Sequence, residues 1–159
     1  MRVKVIILQS HVHRLLLPRR KGVSRRLVWR LCLFLNSNLH NMIKRFDIGT
    51  RMSQMVVHNG TVYLAGQVAK DTNQEIEGQT RQVLEAIDAL LARAATDKSQ
   101  LLTVQIYLVD MADFDGMNRA WDAWVPVGHV PTRATVQASL ARSEWKLEIV
   151  ATAALPDAK

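Results

Sequence analysis

The dipeptide Asn59-Gly60 stands between two short apolar runs, Gln54 to His58 and Thr61 to Ala65. Both central residues of a tight hairpin turn must accept positive φ, and asparagine and glycine do so most readily. Asn-Gly between strand-like runs is therefore the strongest short-range signal for an antiparallel hairpin, and it commits this part of the chain to a sheet. Gly66 follows the second run and ends it.

The remaining elements can be read around that hairpin. Ile43 to Asp47 is a short edge-strand candidate before it. Beyond a polar loop, Val83, Leu84, Ile87, Leu90 and Leu91 recur at helical spacing among charged neighbours, which predicts an amphipathic helix of about five turns. Leu101 to Val109 reads as a buried strand, and Asp110 as the N-cap of a second helix. Along that helix Phe114, Met117, Trp121 and Trp124 line one face, and Pro126 and Gly128 break it. Thr132 to Ser139 and Lys146 to Ala154 alternate as two last strands, joined by a polar turn. The order β-β-β-α-β-α-β-β predicts an α+β domain, one mixed sheet with two helices packed on one face. A sheet covered on one side leaves its other face to be hidden, and oligomerisation is the natural way to hide it.

Charge separates this domain from what precedes it. Of the 21 Lys and Arg residues, nine lie in residues 1–41, where there is no acid; the other twelve face all 14 acids in residues 42–159, a net of −2. The +7 of the whole chain thus belongs to the leader, and the near-neutral domain argues against a nucleic-acid partner. Three readings of residues 1–41 compete: an organellar transit segment, Arg-rich and acid-free; a functional basic tail; or upstream codons read in frame before a true start at Met42, the reading favoured by the abrupt change there. A secretory signal does not fit, because Leu31 to Leu35 is too short an apolar run. Arg25, Arg26 and Arg30 interrupt the best candidate for a membrane span. The single cysteine, Cys32, excludes an intrachain disulfide and suits a reducing compartment, so a cytoplasmic location is expected, or an organellar one if the leader is a transit peptide.

No phosphate-binding glycine loop, metal-ligand spacing or nucleophile elbow occurs. His11, His13, His40, His58 and His129 are scattered and read as surface groups, so a metal enzyme is not expected. What remains is Pro131-Thr132-Arg133-Ala134-Thr135. Proline sets the entry into a strand, Arg133 projects from the face opposite Ala134 and Val136, and Thr135 points the same way about 7 Å further on. Glu148 on the following strand has the parity for a cross-strand or near-neighbour relation to Arg133. A guanidinium matches a carboxylate in bidentate geometry, so Arg, hydroxyl and carboxylate on one face would form a small anion site. On spacing alone an ordinary surface Arg–Glu pair is the favoured explanation.

Gly66, Asn118 and Trp121, Pro131-Thr132-Arg133, and Lys146-Leu147-Glu148-Ile149, in that order, resemble the Rid (reactive intermediate deaminase, YjgF) family. The resemblance covers residues 43–155, and Met117 to Trp124 is similar to the YoaB-like branch. It implies a chorismate-mutase-like α+β fold and a homotrimer with its sites in the clefts between subunits. It also implies cofactor-free hydrolysis of small carboxylate-bearing imines and enamines, such as 2-aminoacrylate, to 2-keto acids and ammonia. Carried over, Arg133 would hold the substrate carboxylate, Glu148 would position or activate water, Gly66 would offer a backbone contact, and Thr135 and Asn118 would line the substrate. Thr135 stands where better-known members have cysteine, Met52 lies near where the deaminases place tyrosine, and Ala65 replaces a serine. The same fold is also associated with ribonucleases that inhibit translation, and a non-catalytic module binding small carboxylates is a third reading.

Overall fold

The computed structural model describes residues 42–156; the readings of the basic leader lie outside the described residues. The elements are β1 (Lys44–Ile48), β2 (Ser53–His58), β3 (Thr61–Leu64), α1 (Ile76–Arg93), β4 (Leu101–Leu108), α2 (Phe114–Trp124), β5 (Thr132–Gln137) and β6 (Leu147–Ala154). They build one six-stranded sheet in the order β1-β2-β3-β6-β4-β5. Only β4 and β5 run parallel among the paired strands. The sheet is mixed and carries both helices on one face, as the element order predicts.

The hairpin forms as expected. Asn59 and Gly60 take φ of 49° and 72°, and His58 pairs with Thr61 across the turn. α1 runs 18 residues, five turns, and buries Val83, Leu84, Ile87, Leu90 and Leu91 together with the earlier Ile76, Gln79 and Thr80. Asp110 caps as expected, but not α2 itself. Its carboxylate accepts from the Ala112 N–H at 2.9 Å and starts a 3-10 turn, Met111–Asp113, which feeds α2 at Phe114. On α2, Met117 and Trp121 are buried, with Phe114 and Trp124 packed against the edge of the core.

The core lies between the helices and the sheet. β2 and β3 contribute Met55 and Val62, β4 Ile106 and Leu108, and β6 Leu147 and Ile149, all closed to solvent with Val83, Ile87 and Leu91 of α1. Each such side chain contributes about 1.5–3 kcal/mol on burial. The opposite face stays open: Tyr63 is 47% exposed and Val136 43%.

The last two strands differ from the sequence expectation. β5 does not pair with β6; β4 lies between them and bonds to both. The chain leaves β5 at Gln137 and enters β6 at Leu147, both paired with Leu108, so the polar segment passes the C-terminal end of β4 and is not a hairpin turn.

Candidate active site

β4 decides where the candidate residues point. Val104, Ile106 and Leu108 are buried beneath the helices, so Gln105 and Tyr107 face the open side. Strand partners in register share a face of the pleat. Arg133 pairs with Val104 and Thr135 with Ile106, which sets both on the helix side, at the edge of the sheet. There the Arg133 guanidinium carbon lies 5.0 Å from the ring centroid of Trp121 on α2. Arg133 has no carboxylate partner among the described residues.

Asn118 lies one turn before Trp121 on the same helix. Its Oδ1 and the Thr135 Oγ1 are buried without a hydrogen-bond partner, two of the three such side-chain atoms among the described residues. An unpaired buried polar atom costs about 1–3 kcal/mol, so folded proteins hold few of them. These two sit on the elements that bring Arg133 and Trp121 together, α2 and β5, which makes this edge of the sheet a candidate site.

Glu148 is elsewhere. On β6 Leu147, Ile149, Ala151 and Ala153 face the core, so Glu148 projects from the open face, opposite Tyr107. The segment after β3 is drawn alongside β6 by reciprocal backbone bonds between Gln67 and Ile149, 2.9 and 3.0 Å. This brings Gly66 under the Glu148 side chain. A Cβ on Gly66 would fall 1.7 Å from Glu148 Oε1 and 2.6 Å from its Cδ. Only glycine admits the carboxylate in this position. Gln67 Nε2 braces the segment by donating to the Ala65 carbonyl at 2.9 Å and to Gln54 Oε1 at 3.3 Å. Met52 lies in the β1–β2 turn, half exposed.

The five expected residues therefore divide between two sides within one chain: Arg133, Thr135 and the helix residue Asn118 on the helix side, Gly66 and Glu148 on the open side. This corrects the single-face arrangement expected for Arg133, Thr135 and Glu148. Parity along one strand says which residues share a face of that strand, but not how it registers with its neighbours. Arg133 registers with Val104 and Glu148 with Tyr107, three positions apart on β4 and hence on opposite faces. Two features escaped the sequence reading: the stacking of Arg133 on Trp121, and the Glu148 carboxylate seated on Gly66. The aromatic stripe of α2 hinted at the first; nothing local announced the second. No group of three or more His, Cys, Asp or Glu among the described residues could hold a metal ion, and no helix there is long and apolar enough to cross a membrane.

Comparison with known proteins agrees with this architecture. The family model described as Endoribonuclease L-PSP matches residues 42–155. A RutC family protein of Haemophilus ducreyi is 48% identical over 114 residues, 72% of this chain and 97% of that protein. The RutC family protein YoaB of Escherichia coli is 43% identical over 113 residues, 71% of this chain and 98% of that protein. A more distant relative, Reactive Intermediate Deaminase A, chloroplastic, of Arabidopsis thaliana, is 30% identical over 109 residues, 65% of this chain and 58% of that protein. Among solved structures, a YjgF-family protein of Neisseria meningitidis superposes with a TM-score of 0.73 at 44% identity, over 75% of this chain and 99% of that one. With its mixed sheet, paired helices and ordered motif residues, the chain belongs to the Rid (YjgF, L-PSP) family, in its YoaB-like branch.

Proposed function

We propose that this chain hydrolyses reactive imines and enamines that carry a carboxylate, such as 2-aminoacrylate, to the 2-keto acid and ammonia, at sites shared between copies in a homotrimer. The observation that carries the reading is the division of the candidate residues into two incomplete halves. An unpaired Arg133 with the orphaned Thr135 and Asn118 oxygens forms one half, and a carboxylate held over Gly66 forms the other. Two copies, each offering the opposite half, would complete a site that one copy lacks. The open sheet face, with Tyr63 and Val136 exposed, is the surface such an assembly would cover.

In this reading the Arg133 guanidinium takes the substrate carboxylate in bidentate fashion. The Thr135 hydroxyl donates to the same carboxylate, and Asn118 Oδ1 accepts from a substrate N–H. An enamine first tautomerises to its imine, gaining a proton at carbon and losing one from nitrogen. Glu148 of a second copy holds a water against the imine carbon, and the water's oxygen adds to it. One proton of the water passes through the carboxylate to nitrogen to give the carbinolamine; its hydroxyl proton then moves to nitrogen as the C–N bond breaks, which releases ammonia and leaves the keto acid. Imines hydrolyse unaided, so orientation and electrostatic support suffice and no cofactor is required. Cytoplasmic residence belongs to the same reading; its support is the single-cysteine composition.

The test generates imines in situ from amino acids with an oxidase and follows keto-acid formation. Wild type should accelerate it, and Arg133→Ala should lower kcat/KM by roughly 100-fold or more, as loss of a charged anchor and of orientation predicts. Absence of acceleration with every amino acid tried sinks the hydrolase reading. Keto-acid binding without hydrolysis would instead make the chain a carboxylate-binding module. The family's printed description supports a ribonuclease as second reading; cleavage of RNA by residues 42–159 alone, at physiological salt, would establish it against the domain's net charge of −2.

A further inference from the structure

We infer that Trp121 is a positioning residue for the substrate carboxylate: its indole face fixes the Arg133 guanidinium in the plane that receives the ligand. The inference rests on the reading of Arg133 as the carboxylate anchor and adds a residue to it.

Arg133 is the second residue of the edge strand β5, with no ion-pair partner among the described residues. A long side chain in that position would ordinarily sample many rotamers, and ordering it on ligand binding would cost affinity. Trp121 restrains it. The guanidinium carbon lies 5.0 Å from the Trp121 centroid, within cation–π range, and Trp121 is a buried residue, so the contact is shielded from water on one side. A guanidinium stacked on a ring keeps its in-plane N–H groups free, and those are the donors a carboxylate uses.

The ring itself is held from behind. Trp124 packs on Trp121 at 5.4 Å between centroids and 54° between planes. Trp124 Nε1 donates to Asp88 Oδ2 at 2.8 Å, and Lys98 Nζ lies 5.0 Å over the Trp124 ring and 3.5 Å from Asp88. An Asp88–Trp124–Trp121–Arg133 stack thus runs from α1 across α2 to the edge strand and ends on the anchor.

The experiment uses the full chain and measures 2-oxobutanoate binding by calorimetry, with thermal unfolding beside it, for wild type, Trp121→Leu and Trp121→Phe. The leucine variant should bind 2-oxobutanoate roughly 3- to 30-fold more weakly, the range a partly desolvated cation–π contact spans. The phenylalanine variant, which keeps a π face, should stay within about threefold of wild type. In imine hydrolysis the leucine variant should raise KM with kcat little changed, the signature of lost ground-state anchoring. A purely structural role would lower the unfolding temperature of both variants and leave affinity per folded molecule unmoved. If leucine binds 2-oxobutanoate as wild type does, or phenylalanine fails as badly as leucine while folded, the inference is overturned and the hydrolase reading stands. If wild type binds but never hydrolyses, the hydrolase reading falls and the positioning result still decides the inference. If wild type neither binds nor hydrolyses, both are overturned.

Discussion

At Gly66 and Thr135 single atoms separate stability from function. The Glu148 carboxylate occupies the volume where a Gly66 Cβ would lie. Gly66→Ala is therefore expected to displace that carboxylate, lowering imine-hydrolysis kcat roughly 10- to 100-fold, as loss of a positioned general base or water-holding group does. Steady-state kinetics on the oxidase-coupled assay would check it, and an alanine variant as active as wild type would deny Glu148 its role. Thr135 works in the opposite sense. Its buried hydroxyl has no partner, so Thr135→Val removes an unsatisfied group and should leave stability unchanged or raise it by about 1 kcal/mol. Keto-acid affinity should fall at the same time. Urea unfolding and calorimetry on one preparation read both signs, and a variant that loses stability without losing affinity would make Thr135 merely structural.

Among the elements, the β6 strand that carries Glu148 depends on one buried amide. Gln79 of α1 is closed to solvent, its Nε2 lies 3.1 to 3.2 Å from the carbonyls of Thr72, Gln74 and Glu144, and its Oε1 accepts from the Lys146 N–H at 3.0 Å. It pins the loop before α1 and the entry to β6 to the same helix. Gln79→Leu should cost about 2–4 kcal/mol, because several buried backbone groups lose their partner at once; a shift of the urea midpoint at unchanged m-value would show it. At the other edge, Arg93 at the end of α1 binds the Asp47 carboxylate and lies over the Phe46 ring, fastening β1 to the helix. The hydrogen bond from Arg93 holds the Asp47 carboxyl below its ordinary value, against a smaller opposing effect of desolvation. A depressed folded-state pKa contributes stability that is present above the unfolded value, about 3.9 for Asp. It is lost as pH falls through the lowered folded value. Both side chains are half exposed, so the effect is local: β1 amides should be better protected in wild type than in Asp47→Asn at neutral pH, and hydrogen exchange should show that excess vanishing as pH falls through the lowered Asp47 value.

For the whole molecule, the two half-sites lead to a prediction that no single chain could satisfy. Arg133→Ala and Glu148→Gln, each inactive alone, should regain activity when mixed through a cycle of dissociation and reassociation. Random exchange of equal amounts in a closed ring of copies restores roughly a quarter of the sites, since each intact site needs Arg133 from one copy and Glu148 from the next. Light scattering should show three copies, and no recovery on mixing would return the site to a single chain.

How much of this was legible beforehand follows from the range of the interactions involved. The Asn59-Gly60 turn, the stripe of α1, the aromatic face of α2 and the alternation of β6 are written in neighbouring residues, because φ preferences and the periods of helix and strand act over a few positions. Sequence by itself thus determined the element order, the α+β class, much of the core and the strand parity of Arg133, Thr135 and Glu148; Asn118 and Gly66 were marked for examination only by the family resemblance. Only the tertiary structure decided that β4 enters between β5 and β6. That placement turns Arg133 toward Trp121 and Glu148 toward the open face, and it seats a carboxylate on Gly66. Strand order and register are settled by pairings between distant segments, and a shift of one residue in register exchanges the two faces of a sheet.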